Sequence, residues 1–323
     1  MERWVVDISE WDPSPEDLTF SLSLLPPSDQ SSVTRCSQAF YFPLELPIIK
    51  NSVVFELCIF NVFRRISDLI CSVMGRFVRV EDRKRALVSR LLQYALVLEV
   101  LAIPYHQLVI NRTLEGKPYL ECGDICLDFP NFNFNVSHHG DYVAIASEPL
   151  CLVGVDIVSI VIPQAETVPE FLQSFSSYFS SFEWHNICTA GTTHDMLIEF
   201  YRYWCLKEAF VKATGSGLVD NLDKVEFHHS CWENISVNIE GKATREWRFW
   251  LLELGKNHLV SVARGHPKLA SASYKRTLRQ TEFDEKEYLA ALHLPNVGFV
   301  SRTVEQLISS FTQRTSTAHR EVY

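Results

Sequence analysis

No part of this sequence offers the roughly 20 unbroken apolar residues that a membrane-spanning helix needs. The most apolar region, residues 44–74, is cut by Lys50, Glu56, Arg64 and Arg65. Nor does the start read as a secretory signal, because residues 1–11 carry Glu2, Asp7 and Glu10 and lack a basic run followed by an apolar one. There is no CxxC pair among the 9 cysteines, and Cys122 and Cys126 have no second pair nearby to complete a zinc site. An odd number of cysteines fits reduced thiols in an intracellular protein better than a disulfide framework. Basic residues are outnumbered as well: 30 Lys+Arg face 39 Asp+Glu, a formal net charge of −9. That balance argues against a nucleic-acid coat or a membrane-surface binder, so any polyanion must be held in a local pocket. A GxxxxGK[ST] phosphate loop, internal repeats and long low-complexity tracts are absent too. The expectation is a soluble cytoplasmic protein with neither nucleic acid nor membrane as partner.

What is present is the composition of a globular chain. With 47% hydrophobic and 21% charged residues it can bury a core, and 323 residues are enough for two domains of ordinary size. Residues 36–75 stand apart, rich in Phe, Ile, Val and Leu without a sustained period. They read either as an inserted hydrophobic excursion or as translated sequence that does not belong, such as a retained intron. The second reading is preferred, because deleting them brings Ser31-Ser32-Val33-Thr34-Arg35 up to Phe77-Val78-Arg79-Val80-Glu81-Asp82, with Arg76 between, in a plausible continuous stretch.

Over 83–99 the apolar residues Ala86, Leu87, Leu91, Tyr94, Ala95 and Leu98 recur at helical spacing, with Pro104 beyond the end. A second packed helix is predicted over 195–214, where Gly215 suits a left-handed cap, and a shorter one over 169–179. Strands are predicted at 108–110 and 119–120 around a turn, at 132–136 and 142–146 around Gly140, and at 151–158. Others follow at 225–227, 235–239, 248–253 and 258–263. Beyond Pro267 the chain turns polar and basic, which predicts a loosely ordered tail with one helix near 284–292.

Four places carry groups suited to chemistry. Asp156 is a carboxylate inside an apolar strand, a placement usually offset by a cation, a metal or hydrogen bonds; an Asp capping a strand end is the plain alternative. Trp204, Glu208 and Lys212 fall at i, i+4 and i+8 on one helix face. Glu208 suits Mg²⁺ or a proton, and Lys212 a phosphate, although a solvated Glu–Lys pair is the commoner meaning of that spacing. Polar groups gather in Asn135-Val136-Ser137-His138-His139-Gly140-Asp141 between two strands, where an imidazole can meet a phosphate or move a proton but is more often structural. Arg112-Thr113-Leu114-Glu115-Gly116-Lys117-Pro118 puts two cations and a glycine in a short turn, suited to anion capture or to ordinary surface.

In combination and order these segments resemble the 4′-phosphopantetheinyl transferases, specifically the large pseudo-dimeric kind that includes the eukaryotic aminoadipate-semialdehyde-dehydrogenase phosphopantetheinyl transferases. The resemblance rests on RTLEGKPYL at 112–120, PNFNFNVSHHGDYVAIAS at 130–147, GVDIV at 154–158 and FYRYWCLKEAFVKATGSGL at 200–218. It covers about 3–264 apart from the foreign-looking segment. It implies an α/β (α+β) fold, a pseudo-dimer of two similar subdomains, each a small sheet packed on a long helix, with the active site in the cleft between them. The N-terminal subdomain would span 1–149, the C-terminal one 150–267, and 268–323 would be the polar tail of a monomer.

The activity implied is transfer of phosphopantetheine from coenzyme A to a serine of acyl or peptidyl carrier protein domains, leaving adenosine 3′,5′-bisphosphate. By the same resemblance Asp156 and Glu208 would ligate Mg²⁺, and Glu208 would deprotonate the acceptor serine. Lys212 would contact phosphate, His138 with Asn135 and Ser137 would line the coenzyme A site, and Arg112, Thr113, Gly116 and Lys117 would hold the adenine nucleotide portion. Two departures stand out. Val158 occupies the position where some bacterial relatives carry a further acidic residue, and the early arginine expected on the 3′-phosphate is Arg35, Arg76 or Arg79. Acceptors implied are carrier domains of aminoadipate reductase, fatty-acid synthase, polyketide synthases and nonribosomal peptide synthetases. The alternative is a non-catalytic coenzyme A or carrier-protein binding module, disabled by residues 36–75.

Overall fold

The computed structural model describes residues 1–35, 80–103, 105–121, 128–164, 166–217 and 221–318. The 36–75 segment, Arg76, Arg79, Cys122 and Cys126 lie outside the described residues, as does the side chain of Arg35.

Strand β1 (Glu2–Asp7) is followed by α1 (Pro15–Ser23), α2 (Pro27–Arg35) and the long α3 (Val80–Leu101). The hairpin β2 (Val109–Arg112) and β3 (Pro118–Glu121) leads to β4 (Asn133–His139) and β5 (Tyr142–Glu148). After a turn holding the expected 149–150 boundary come β6 (Leu152–Ser159), α4 (Val168–Ser174), α5 (Ser181–Cys188) and the long α6 (Thr193–Thr214). Then follow β7 (Val225–Ser230), β8 (Glu233–Ile239), β9 (Lys242–Thr244), β10 (Trp247–Leu254) and β11 (His258–Gly265). The last stretch adds α7 (Ala272–Lys275), α8 (Glu285–Leu292), β12 (Val300–Ser301) and α9 (Val304–Ala318).

The fold is mixed α/β, as expected. One sheet has the order β12-β1-β5-β4 and buries a face against α3, through Trp4, Val6, Phe134 and Ile145 against Leu87, Leu91 and Leu98. A second, beside the smaller sheets β2-β3 and β7-β8-β9, has the order β10-β11-β6 and lies on α6, with Leu152, Val158, Leu259 and Ala263 packed among Phe200, Trp204, Ala209 and Ala213. The opposite faces of the two sheets meet across a third apolar cluster, Val5, Ala144 and Ala146 against Val153, Val155, Ile157, Val260 and Val262.

Helix α6 starts where its sequence dictates. Thr192 accepts from the Asp195 amide while the Asp195 carboxylate accepts from the Thr192 amide, a reciprocal cap. It ends at Gly215, whose φ of +69° is the left-handed conformation expected there.

The edge of β6 facing β4 is closed in an unusual way. Its amides are taken by side chains of alternate β4 residues: Val153 N–H by Asn133 Oδ1 (3.0 Å), Val155 by Asn135 Oδ1 (2.9 Å), Ile157 by Ser137 Oγ (3.2 Å) and Ser159 by His139 Nδ1 (3.1 Å). The constant offset of 20 residues makes the two strands run parallel, one from each half.

The polar stretch after Pro267 is not loose over its described residues, 268–318. Strand β12 pairs with β1 in parallel, and Val304, Leu307 and Phe311 of α9 enter the core beside α3. These three residues fall at i, i+3 and i+7, a narrow apolar stripe that a polar average conceals.

Candidate active site

The centre of the site joins the middle of β6 to the last two turns of α6. Asp156 is buried at 4% exposure, and its Oδ1 accepts from Lys212 Nζ at 2.5 Å and from Ser137 Oγ at 3.0 Å. Lys212 Nζ also donates to Ser137 Oγ at 2.9 Å. Burial lowers the proton affinity of Lys212, but the Asp156 and Glu208 carboxylates outweigh it and hold the ammonium above its ordinary pKa. Glu208 stands one helical turn before Lys212, and its Oε1 is buried without a hydrogen-bond partner. Burial and the Asp156 charge both raise the Glu208 pKa, with Lys212 opposing them.

The helix reaches the strand this closely because residue 154 has no side chain. A Cβ at Gly154 would lie 2.0 Å from the Ala209 carbonyl oxygen and 2.4 Å from the Ala213 nitrogen.

From the other half, β4 supplies residues on both of its faces. Asn135 and Ser137, expected to line the coenzyme A site, are turned toward β6 and occupied there with the Val155 and Ile157 amides and with Asp156. His138 faces the other way. Burial, with Lys212, Arg85, His139 and Arg112 adding charge, pushes its pKa down to about 3. Arg85 is a cation that sequence reasoning missed; it sits on α3, pairs with Asp82 and donates to the Gly140 carbonyl at 2.7 Å. The only signal for it was the basic triplet Arg83-Lys84-Arg85 at the start of a helix.

The turn between β2 and β3 divides its tasks. Arg112 is exposed and donates to the Gly116 carbonyl at 2.8 Å, while Gly116 takes a φ of +93°. Thr113 Oγ1 accepts from the Lys117 amide at 3.2 Å. Lys117, expected on the nucleotide, is instead 4% exposed, and its ammonium donates to the Val153 and Lys212 carbonyls, each at 2.8 Å. Burial alone pushes its pKa down to about 7.

No group of three or more His, Cys, Asp or Glu that could hold a metal occurs among the described residues. Two carboxylates are nevertheless present side by side, one with an orphaned buried oxygen. That donor set fits Mg²⁺, which is commonly bound by one or two carboxylates plus substrate phosphates.

Comparison with known proteins places this architecture. Residues 61–150 match the family described as 4′-phosphopantetheinyl transferase, N-terminal, and residues 152–263 match the 4′-phosphopantetheinyl transferase superfamily. The first match includes 61–75, the later part of the stretch that looked foreign. A 4′-phosphopantetheinyl transferase, pptA, of Paxillus involutus is 30% identical over 260 residues, 77% of this chain and 93% of that one. The chain belongs to the 4′-phosphopantetheinyl transferase superfamily. The L-aminoadipate-semialdehyde dehydrogenase-phosphopantetheinyl transferases of Rattus norvegicus and Homo sapiens are each 37% identical over 202 residues. The match covers 60% of this chain and spans 65% of the length of those two relatives. The solved Chronobacterium ammoniagenes ACPS–CoA complex shares 19% identity over 35% of this chain and 95% of that one, with a TM-score of 0.27, too slight a likeness to build on. No helix among the described residues is long and apolar enough to cross a membrane.

Proposed function

We propose that this chain transfers 4′-phosphopantetheine from coenzyme A to a serine hydroxyl of carrier protein domains. The observation that carries the reading is the Asp156–Glu208–Lys212 cluster, in which a carboxylate kept above its ordinary pKa stands beside a second carboxylate and a fixed ammonium. A group of raised proton affinity is suited to accept the serine proton near neutral pH. The serine oxygen then bonds to the phosphorus that carries the pantetheine, the bond to the departing adenosine 3′,5′-bisphosphate breaks, and the proton rests on Glu208. Lys212, held by two of its three donors on Asp156 and Ser137, neutralises charge on the pyrophosphate and has the third donor for a phosphate oxygen. His138, kept neutral by burial and by the charges of Lys212, Arg85 and Arg112, marks the cationic wall for the nucleotide phosphates.

Asp156 and Glu208 would hold Mg²⁺, which when bound supplies charge neutralisation to the pyrophosphate. Aminoadipate reductase is the carrier-bearing acceptor favoured by the names of the rat and human relatives, and the chain would act as a monomer because both halves of the site come from one polypeptide. A binding-only role is disfavoured, since coenzyme A retention alone gives no use for a second buried carboxylate with an unpartnered oxygen beside the Asp156–Lys212 pair.

The test is intact-mass spectrometry of an apo carrier protein incubated with the chain, coenzyme A and Mg²⁺. A gain of one phosphopantetheine that vanishes with a chelator is expected. In Glu208→Gln the gain should slow by about 100-fold or more while coenzyme A binding persists, the range seen when general-base catalysis is lost. Unchanged turnover would remove the proton-accepting role from Glu208.

A further inference from the structure

Lys117 is a buried ammonium whose proton affinity is lowered by burial, and no carboxylate among the described residues pairs with it. Taking a cation out of water costs several kcal/mol, so a chain that keeps one unpaired must satisfy its donors elsewhere. An ammonium has three. One goes to the Val153 carbonyl of β6 and one to the Lys212 carbonyl of α6, both at 2.8 Å, and the group sits 4.8 Å from the ring centre of Tyr274.

Those partners are chemically pointed. The Lys212 carbonyl belongs to the last turn of α6, where backbone oxygens lack intrahelical partners and carry partial negative charge. Val153 lies three residues before Asp156 on the same strand, and Lys212 is the residue whose ammonium grips Asp156 and Ser137. The methylene stem lies against the helix cap, since a Cβ at Gly215 would come within 2.8 Å of Lys117 Cδ. The turn that carries Lys117 is tied down on its far side, where Glu115 accepts from Ser273 Oγ at 2.6 Å.

We infer that Lys117 is a positioning residue: reaching over from the N-terminal half, its ammonium clamps β6 to the last turn of α6 and so holds the Lys212 ammonium on Asp156. In the reaction it touches no substrate and acts through Lys212. This deepens the transferase reading and rests on it only for the turnover measurement below.

Lys117→Met keeps the stem and removes the donors. The first measurement needs no turnover: Lys212 is acetylated with acetic anhydride in the full chain, and its rate is mapped by peptide mass spectrometry against the surface residues Lys256 and Lys268. Release of the clamp should raise the relative rate at Lys212 about 5-fold, and an unchanged rate overturns the inference. The second measurement is a double-mutant cycle with Lys212→Ala, reading kcat and the coenzyme A KM. The loss caused by Lys117→Met should shrink to within about 2-fold once Lys212 is gone. Equal losses on both backgrounds overturn the inference in favour of general stabilisation. If Lys117→Met does not fold, Lys117→Gln, too short to span both carbonyls, carries the same outcomes. Should the wild-type chain modify no carrier, the transferase reading falls while the reactivity of Lys212 still decides the clamp.

Discussion

Ser137 has one proton and two lone pairs, and all three are engaged: the proton on Asp156, the lone pairs by the Ile157 amide and the Lys212 ammonium. The next residue on the same face of β4, His139, is committed as tightly. Its Nδ1 accepts from the Ser159 amide at 3.1 Å, which requires that ring nitrogen to be unprotonated and leaves the imidazole proton on Nε2. Burial, relieved only partly by Asp156, pushes the His139 pKa down to about 4. The sign follows from linkage: between that value and the ordinary one near 6.5 the unfolded chain takes a proton that the folded chain refuses, so His139 removes stability as the pH falls through that window. Ring ¹⁵N shifts followed by NMR should therefore show the neutral Nε2–H form down to about pH 5, where an ordinary histidine is already charged. A ring titrating near its usual midpoint would mean that the bond to Ser159 is not kept in solution. None of this was legible in Asn135-Val136-Ser137-His138-His139 alone. Alternation puts Asn135, Ser137 and His139 on one face, but only the neighbour on that face reveals that they serve amides of β6.

Elements were legible in proportion to their length and periodicity. The two long helices and strands β4, β5, β6, β10 and β11 fall close to where apolar spacing, Gly140 and Gly215 put them, whereas β1 and β12 of the first sheet went unpredicted and the short α5 and β9 have too few residues to show a period. Gly154 lies between these cases. Within Gly154-Val155-Asp156-Ile157-Val158 it reads as one more small residue of a buried strand, and its purpose emerges only when α6 is seen to cross above it. Because a Cβ there would overlap the backbone of Ala209 and Ala213, and backbone cannot swing aside as a side chain can, Gly154→Ala must lift the helix. Overpacking of this kind costs about 3 kcal/mol, and the displaced helix carries both Glu208 and Lys212. Thermal melts and carrier-modification rates measured on the same preparation should both fall. A variant with a native melting temperature and full turnover would contradict the packing.

At the scale of the whole molecule, buried ion pairs tie the two halves to each other and to the segment that follows Pro267. Glu148 shows why: it lies buried between Arg3 of β1, with which it pairs, and Arg264 of β11, whose Nε donates to it at 2.9 Å. Arg264 in turn reaches the Leu294 carbonyl at 2.6 Å, just after α8, and Arg3 donates to Asn296 at 3.3 Å. The segment beyond crosses to the N-terminal half, where the Arg302 guanidinium lies 4.4 Å from the ring centre of Trp4 and bonds Glu99 at 2.9 Å. A chain ending at residue 295 loses β12 and α9, which uncovers the free edge of β1 and removes Val304, Leu307 and Phe311 from the core beside α3. Three such side chains bring about 5 kcal/mol of burial, an upper figure because the unfolded chain is itself partly compact. The loss should be uneven. Hydrogen exchange should quicken at amides of β1 and α3, which the removed elements cover, while amides of α6 and β11 keep their protection, since the C-terminal core is built without α9. Uniform quickening throughout would instead show that the two halves cannot loosen separately, and that the closing segment stabilises the cleft between them as much as the sheet it touches.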